Sequence, residues 1–297
     1  MRRVAHSLRR LLASLALGLA ACSATAAPPD KAQGYRFEIV TGDDSAVSAR
    51  IAEDLYKRLV PTFAAFRTEL AQKRRMVTIA IGPDALRQAV ARRCDCVVIA
   101  AFTSSQVWRS VVGALPPARA ALNTAVYAEP APLDQLQLAS LLYRRPVRVA
   151  AIVGQDADTF VHALQGKADL VRAAPSDDIG ELLGRVKRSE ALLALPDSAV
   201  YNPENVRSIL LATYRRKQAV IGFSGDMVKV GALATTYSDI EDINAQVAEV
   251  AAAFVASGEL PAPQFPRYFR TTINEGVARS LDIVVGKDAR GFARPRP

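Results

Sequence analysis

The chain has 297 residues, 50% of them hydrophobic and 23% charged, with a formal net charge of +9. That composition is ordinary for a soluble globular protein, and the length suits two lobes of roughly 100–150 residues each. The basic residues are scattered along the chain instead of clustering on one face with aromatic residues, which argues against a nucleic-acid partner.

The first segment reads as an export signal. Arg2, Arg3, Arg9 and Arg10 form a basic region, and residues 11–21 (LLASLALGLAA) form an apolar core too short to span a bilayer. Two cleavage sites compete. Leu19-Ala20-Ala21-Cys22 fits a lipoprotein signal, with Cys22 lipidated as the mature N-terminus. Ala24-Thr25-Ala26 fits ordinary signal peptidase. The apolar core ends directly at Cys22, and Pro28 and Pro29 crowd the second site, so the lipoprotein reading is the one adopted. Loss of the four arginines lowers the net charge from +9 to +5.

From there the expected units are a tether over 22–34, an N-terminal α/β lobe over 35–145, a C-terminal α/β lobe over 146–285 and a flexible basic tail over 286–297. In chain order, a strand over 35–40 leads through Thr41-Gly42-Asp43 into a helix over 46–59. Pro61 opens a further helical stretch to about residue 72. Strands over 77–81 and 97–101 alternate with helices over 85–93 and from Thr103-Ser104-Ser105 onward. Short apolar strands without polar alternation, separated by polar turns and helices, predict parallel sheets covered on both faces. A strand over 123–127 and a helix over 133–143 close the first half, and a joint near 143–147 precedes the second.

The second half repeats the pattern, with strands over 147–153, 168–171, 190–195, 219–222 and 232–237 and helices between them. A helix starts at Asp239, and a strand near 268–273 and a helix over 274–281 follow. The predicted fold class is therefore α/β, with two Rossmann-like lobes of parallel sheet joined by a hinge around a cleft.

Cys94 and Cys96 flank Asp95 at the entrance to the 97–101 strand. On a strand both side chains would share a face, and buried or half-buried thiols are expected; a local disulfide is geometrically awkward. No metal or other cofactor is expected, because His162 is the one histidine left after the signal and lies far from both cysteines.

Catalytic equipment is missing. Gly222-Phe223-Ser224-Gly225-Asp226 misplaces the last glycine of a nucleophile elbow, and neither a phosphate loop nor a dinucleotide fingerprint occurs. Asp43, Asp44, Asp177 and Asp178 open helices, where a carboxylate favours the positive end of the dipole. The chain is therefore not read as an enzyme.

Binding groups are present, because ligands of an open α/β sheet sit beyond the carboxyl ends of its strands. Candidates are Thr41, Asp43, Thr103, Ser104, Asp197, Tyr201, Ser224 and Tyr237, with Tyr201, Phe223 and Tyr237 as an aromatic wall. Thr41, Ser45 and Ser104 fit equally well as helix caps, and Asp197 as the acceptor of its own loop.

Residues 191–200 (ALLALPDSAV), 208–214 (SILLATY), 219–224 (AVIGFS), 231–233 and 261–268 (PAPQFPRY) carry a family resemblance. They resemble the ABC-type periplasmic substrate-binding proteins of the tryptophan/tyrosine-uptake-like group, and more closely its shorter proteobacterial branch. The resemblance is dense over 190–283 and thin before 147, and the first lobe is one strand short after its first helix.

It implies a fold like periplasmic-binding-protein type I and capture of a small polar solute, best an amino acid. Asp197 matches the aspartate of the family's proline–aspartate loop and would face an ammonium. It also implies an ABC permease as partner; with the export signal, the protein is expected as a monomer in the periplasm, held to a membrane by lipid on Cys22. The short first lobe favours the alternative of a sensor input or envelope accessory module that feeds no transporter. An envelope hydrolase would need a base that the sequence does not supply.

Overall fold

The computed structural model describes residues 34–64 and 74–297. The export signal, its cleavage sites and Cys22 lie outside these residues, as do the last residues of the helical stretch expected after Pro61.

The first sheet is built from β1 (Tyr35–Thr41), β2 (Arg75–Ile81), β3 (Val97–Thr103) and β4 (Asn123–Tyr127), all parallel and stacked in that order. Alternate residues face opposite sides. Val77, Ile79, Ile81, Val97, Ile99 and Ala101 face α1 (Ala46–Ala64), whereas Ala80, Val98, Ala100 and Ala125 face α2 (Gly82–Ala91) and α3 (Ser105–Gly113). Pro61 is accommodated inside α1, which runs on as one helix where two were expected.

This placement has a topological consequence. Successive crossovers that advance the same way across a sheet share a hand only if their helices share a face. The helices α2 and α3 lie on one face and α1 on the other, so β1–α1–β2 has the opposite hand to the two crossovers that follow. Because parallel crossovers are right-handed in about 98% of cases, β1–α1–β2 is the left-handed exception.

The second sheet has the order β10-β9-β8-β7-β5-β6, made of β5 (Val149–Val153), β6 (Asp169–Arg172), β7 (Ala191–Leu193), β8 (Ala219–Ile221), β9 (Ala234–Tyr237) and β10 (Arg270–Ile273). Only the β10–β9 pairing is antiparallel. After β5 the chain steps outward to β6 and then returns to the other side of β5 with β7. That reversal is a topological switch point.

Each lobe borrows a helix from across the expected 145/146 division. The helix α5 (Pro132–Tyr143) buries Leu138, Ala139 and Leu142 in the core of the second lobe. Buried Gln135 fastens it there by donating to Gly222 O and Thr235 Oγ1, both at 2.7 Å, and by accepting from Thr236 N at 3.0 Å. In return, α10 (Ile240–Ser257) buries Ile243, Val247, Val250, Ala251 and Phe254 against α1 and the first sheet. Among the described residues the chain therefore passes between lobes three times, at 128–131, at 238–239 and over 258–269. The joint expected near 143–147 lies inside the second lobe, because the apolar face of α5 already belongs to that lobe's core.

The tail, expected to be flexible, is bonded in place. After α11 (Glu275–Ser280), α12 (Lys287–Arg290) fully buries Ala289, and Arg290 pairs with Glu275. Phe269 and Arg294 exchange two main-chain hydrogen bonds of 2.9 Å. The Arg294 guanidinium lies over the Phe269 ring and 3.2 Å from Asp134. Arginines spaced along the tail meet carboxylates and a ring, contacts that composition alone does not reveal.

Candidate functional site

Between the lobes lies a cavity of about 520 Å³. The first lobe contributes Gln106, Val107 and Ser110 from the first two turns of α3. The second contributes the turns after β5 (Gly154, Gln155, Asp156), after β6 (Ala173, Ala174, Pro175, Asp177) and after β7 (Asp197, Ser198, Ala199, Val200), with Asn205 from α8 (Pro203–Arg215). These turns are the carboxyl ends of strands on both sides of the switch point, where open α/β sheets bind ligands.

Asp197 organises the second-lobe wall. Its side chain is 3% exposed, with Oδ2 accepting from Gly154 N at 2.7 Å and Oδ1 from Ala199 N at 3.1 Å. A Cβ on residue 154 would sit 2.6 Å from Asp197 Oδ2, so the close approach of carboxylate to main chain requires glycine. Gln155 Nε2 donates to Ala173 O at 3.0 Å, and Asp177 Oδ2 accepts from Ala174 N at 2.9 Å. The three turns thus form a hydrogen-bonded rim with Asp156, Ser198 and Asn205 on it.

The first-lobe wall is aimed by an irregularity in β3. Phe102 adopts φ 56°, and the β3–β4 register shifts between Ala101 and Thr103. A bulky residue in left-handed conformation is an outlier, and bulges next to sites re-aim the chain that follows. Thr103 O accepts from Ala128 N at 3.1 Å, Ser104 Oγ caps α3 by accepting from Val107 N at 3.3 Å, and Ser105 N donates to Glu129 Oε1 at 2.9 Å. The amino end of α3 is thereby bound to the first inter-lobe crossing. Burial raises the pKa of Glu129, which is 3% exposed, and its Oε2 has no hydrogen-bond partner. Burial, helped by the charge of Glu129, pushes the neighbouring Tyr127 phenol up to about 12. Across the cleft, Arg109 Nη1 on α3 donates to Thr159 Oγ1 of α6 (Asp158–Leu164) at 2.6 Å.

Of the residues expected from sequence, Asp197 lines this cavity, and Thr103 and Ser104 support its first-lobe wall from behind. Thr41 and Asp43 sit at the end of β1, two strands from β3. The Asp43 carboxyl is held below its ordinary range by hydrogen bonds from Ser45, a local Asx turn. Ser224 caps α9 (Gly225–Lys229) through Met227 N at 3.3 Å. Tyr237 lines a separate, open concavity of about 640 Å³ with Lys229, Asn274 and Glu275, on the second lobe alone.

Tyr201 is not part of an aromatic wall. It is 6% exposed, donates to Leu193 O at 3.3 Å and meets Phe223 edge-to-face at 6.2 Å, and burial raises its pKa. The ring turns inward because its own turn, closed by Tyr201 N on Asp197 O at 2.7 Å, points it at the core.

Sequence reasoning missed Gln106, Ser110, Gln155, Asp156, Asp177 and Asn205. The strand-end rule points to three of them, since Gln155, Asp156 and Asp177 lie in the turns that follow β5 and β6. The residues on α3 and α8 needed the packing of the lobes.

Cys94 and Cys96 are joined as a disulfide, not held as buried thiols. They lie in the turn before β3 rather than on the strand, so their side chains are free of the strand's pleat; Cys94 is exposed and Cys96 half-buried. Among the described residues no group of three histidine, cysteine or acidic side chains is placed to hold a metal, and no helix is long and apolar enough to cross a membrane.

No protein-family model matches the chain, and no curated protein matches it in sequence. Solved structures match its fold. A substrate-binding protein with adhesive properties from Clostridium difficile, in its ligand-free, open form, has a TM-score of 0.57 at 12% identity, covering 86% of this chain and 97% of that one. An ABC domain from Streptococcus pneumoniae in complex with L-Trp has a TM-score of 0.53 at 13% identity, over 89% and 99% of the two chains. A conserved domain protein from Vibrio cholerae has 0.52 at 15%, over the same shares. The chain thus shares the two-lobed α/β fold of these structures, a fold like that of periplasmic-binding-protein type I.

Proposed function

We propose that the protein is a solute-binding protein that captures a small polar molecule between its lobes and serves an ABC-type importer. One observation carries the reading: a single cavity is walled by α3 of one lobe and by three strand-end turns of the other, at the switch point, with three crossings as the hinge. Such a site senses the relative position of the lobes, so ligand that touches both walls favours closure.

The lining matches a ligand with an ammonium or several hydroxyls. Around the buried Asp197 it carries the carboxylates of Asp156 and Asp177, the amides of Gln106, Gln155 and Asn205, and the hydroxyls of Ser110 and Ser198. An amino acid would place its ammonium toward Asp156 and Asp177 and its carboxylate toward the amino end of α3, the positive end of that helix dipole. The fold relatives named for substrate binding and for L-Trp support the same class. Binding rather than catalysis, a periplasmic location, a monomeric state, a permease partner and a lipid anchor at Cys22 complete the proposal.

A second reading, a sensor input or accessory module, is favoured by the left-handed β1–α1–β2 crossover. The first lobe lacks a reversal of strand order among its described strands, so the surface offered to a partner there differs from that of the second lobe.

Thermal melts of the full chain against amino acids, small peptides, nucleosides and sugars test solute capture. Ligand that binds only the folded state stabilises it by about 2.7 kcal/mol at a hundredfold excess over Kd. The importer reading expects a saturable shift for one class that is weakened by Asp156→Asn and by Ser110→Ala, one from each wall. No shift with any class would sink solute capture.

A further inference from the structure

The Cys94–Cys96 disulfide lies at the amino end of β3, the edge of the first sheet opposite the cavity. It has little to do as a staple. The entropy that a cross-link removes from the unfolded chain grows with the length of the loop it closes, and this loop contains one intervening residue, Asp95. The turn is also held without it: Arg92 N donates to Ala89 O at 3.3 Å on one side, and Val98 N to Leu122 O at 2.9 Å on the other. Cys94 is exposed to attack.

The surroundings favour thiolate. Four arginines gather at this turn. Arg75 bonds Asp95 at 3.2 Å, Arg92 pairs with Glu38, Arg93 is exposed, and Arg119 lines the same depression as both cysteines. The hydrogen bonds of Arg119 go to the carbonyl oxygens of Val90 and Arg92, so its charge meets no carboxylate in them. Two carboxylates against four guanidinium groups leave the turn positive, the environment that lowers the pKa of a cysteine thiol. Asn123 lines this depression as well. It is 9% exposed, its Nδ2 donates to Arg119 O at 2.6 Å, and its Oδ1 has no partner, leaving a buried acceptor on a residue of the same depression.

We propose that Cys94–Cys96 is a thiol–disulfide exchange site that accepts electrons from a thiol reactant, independent of the solute cavity. A thiolate of the reactant attacks the sulfur of Cys94, the exposed residue of the pair. A new S–S bond forms there as the Cys94–Cys96 bond breaks, and the electron pair of the broken bond leaves on the Cys96 sulfur, where the positive turn stabilises it. A second reactant thiolate then attacks the reactant's sulfur in the mixed disulfide, and Cys94 leaves as thiolate. Two reactant thiols have lost two electrons and two protons to become a disulfide, and the cysteine pair has gained both. The reactant class is a dithiol or two monothiols.

The test uses the full native chain and glutathione. The protein is equilibrated in graded mixtures of reduced and oxidised glutathione, free thiols are alkylated, and peptide masses assign each cysteine, Cys22 included. The pair is expected to open in the folded protein, with the melting temperature of Cys94→Ala/Cys96→Ala close to that of the parent. The Cys96→Ala variant should capture one glutathione at Cys94 at least ~10-fold faster than Cys94→Ala captures one at Cys96. A pair that stays closed until denaturant unfolds the chain would overturn the proposal. So would a double variant that melts far below the parent, because that marks a staple, and so would equal capture rates. None of these outcomes bears on the cavity, so exchange and solute capture fail or stand separately.

Discussion

The Asp197 carboxylate and the Gly154 amide, 2.7 Å apart, join the turns that leave β7 and β5 on either side of the switch point. Both partners are buried, and the carboxylate holds a second main-chain amide at Ala199. The pair is therefore the structural centre of the second-lobe wall, and ligand-facing polarity falls to the residues around it.

Gly154→Ala tests that geometry. The new methyl would stand 2.6 Å from Asp197 Oδ2, so the carboxylate must move and its hydrogen bond must lengthen. Loss of a buried hydrogen bond to a charged group costs about 1.5–3 kcal/mol. Urea melts should read that loss, and solute-induced melting shifts should shrink with it. A variant as stable as the parent would mean that the turn has room the packing does not show.

Arg296 holds the end of the tail to α10. Its Nε lies 2.7 Å from Asp242 Oδ1, whose side chain is 4% exposed, and its Nη1 donates to Glu241 O at 3.2 Å. Burial and the neighbouring charge of Asp239 raise the Asp242 pKa, and Arg296 opposes them. A carboxyl with a raised folded pKa binds more protons folded than unfolded, so its contribution to stability falls as pH rises through the window above its unfolded pKa. Arg296→Ala removes the compensating charge. We expect a loss of about 2–3 kcal/mol at neutral pH, at or below the ~3–5 kcal/mol of a fully buried pair, because Arg296 is itself partly exposed and Arg270 remains 4.0 Å away. The loss should shrink toward pH 4. Denaturant midpoints across pH decide it, and a loss independent of pH would place the cost in packing.

Glu129 gives the opposite sign. Its buried carboxyl has one partner at Ser105 N and none at Oε2, and its raised pKa likewise removes stability as pH rises. Glu129→Gln keeps the acceptor for Ser105 and deletes the buried charge. The variant should be more stable than the parent at pH 8 and equal to it near pH 4, with a flatter pH profile in thermal melts. A destabilised variant at pH 8 would mean that the charge is paired in solution.

Arg109→Ala probes closure. The hydrogen bond to Thr159 spans the cleft, and a typical protein hydrogen bond contributes about 0.5–1.5 kcal/mol. Its removal should shift the balance toward the open form by roughly 2–10-fold, read as a larger radius of gyration by small-angle scattering without solute. No change would place the bond outside the hinge equilibrium.

The alternation of strand and helix is legible in the sequence because its cause is local. Runs such as Val97–Thr103 and Ala191–Leu193 are apolar on both faces, polar turns follow them, and caps such as Ser104, Asn202 and Asp239 stand where helices begin. The strand-end rule reaches Asp197 for the same reason. Tertiary structure decided what depends on partners distant in the chain. It packed α5 into the lobe beyond the expected division and α10 into the lobe opposite its sequence neighbours, turned Tyr201 inward, tied the tail to Asp134 and Asp242, and put α1 on the face that makes its crossover left-handed. Periodicity tells a helix which of its faces is apolar, but the apolar surface that will cover that face is chosen only when the whole chain packs.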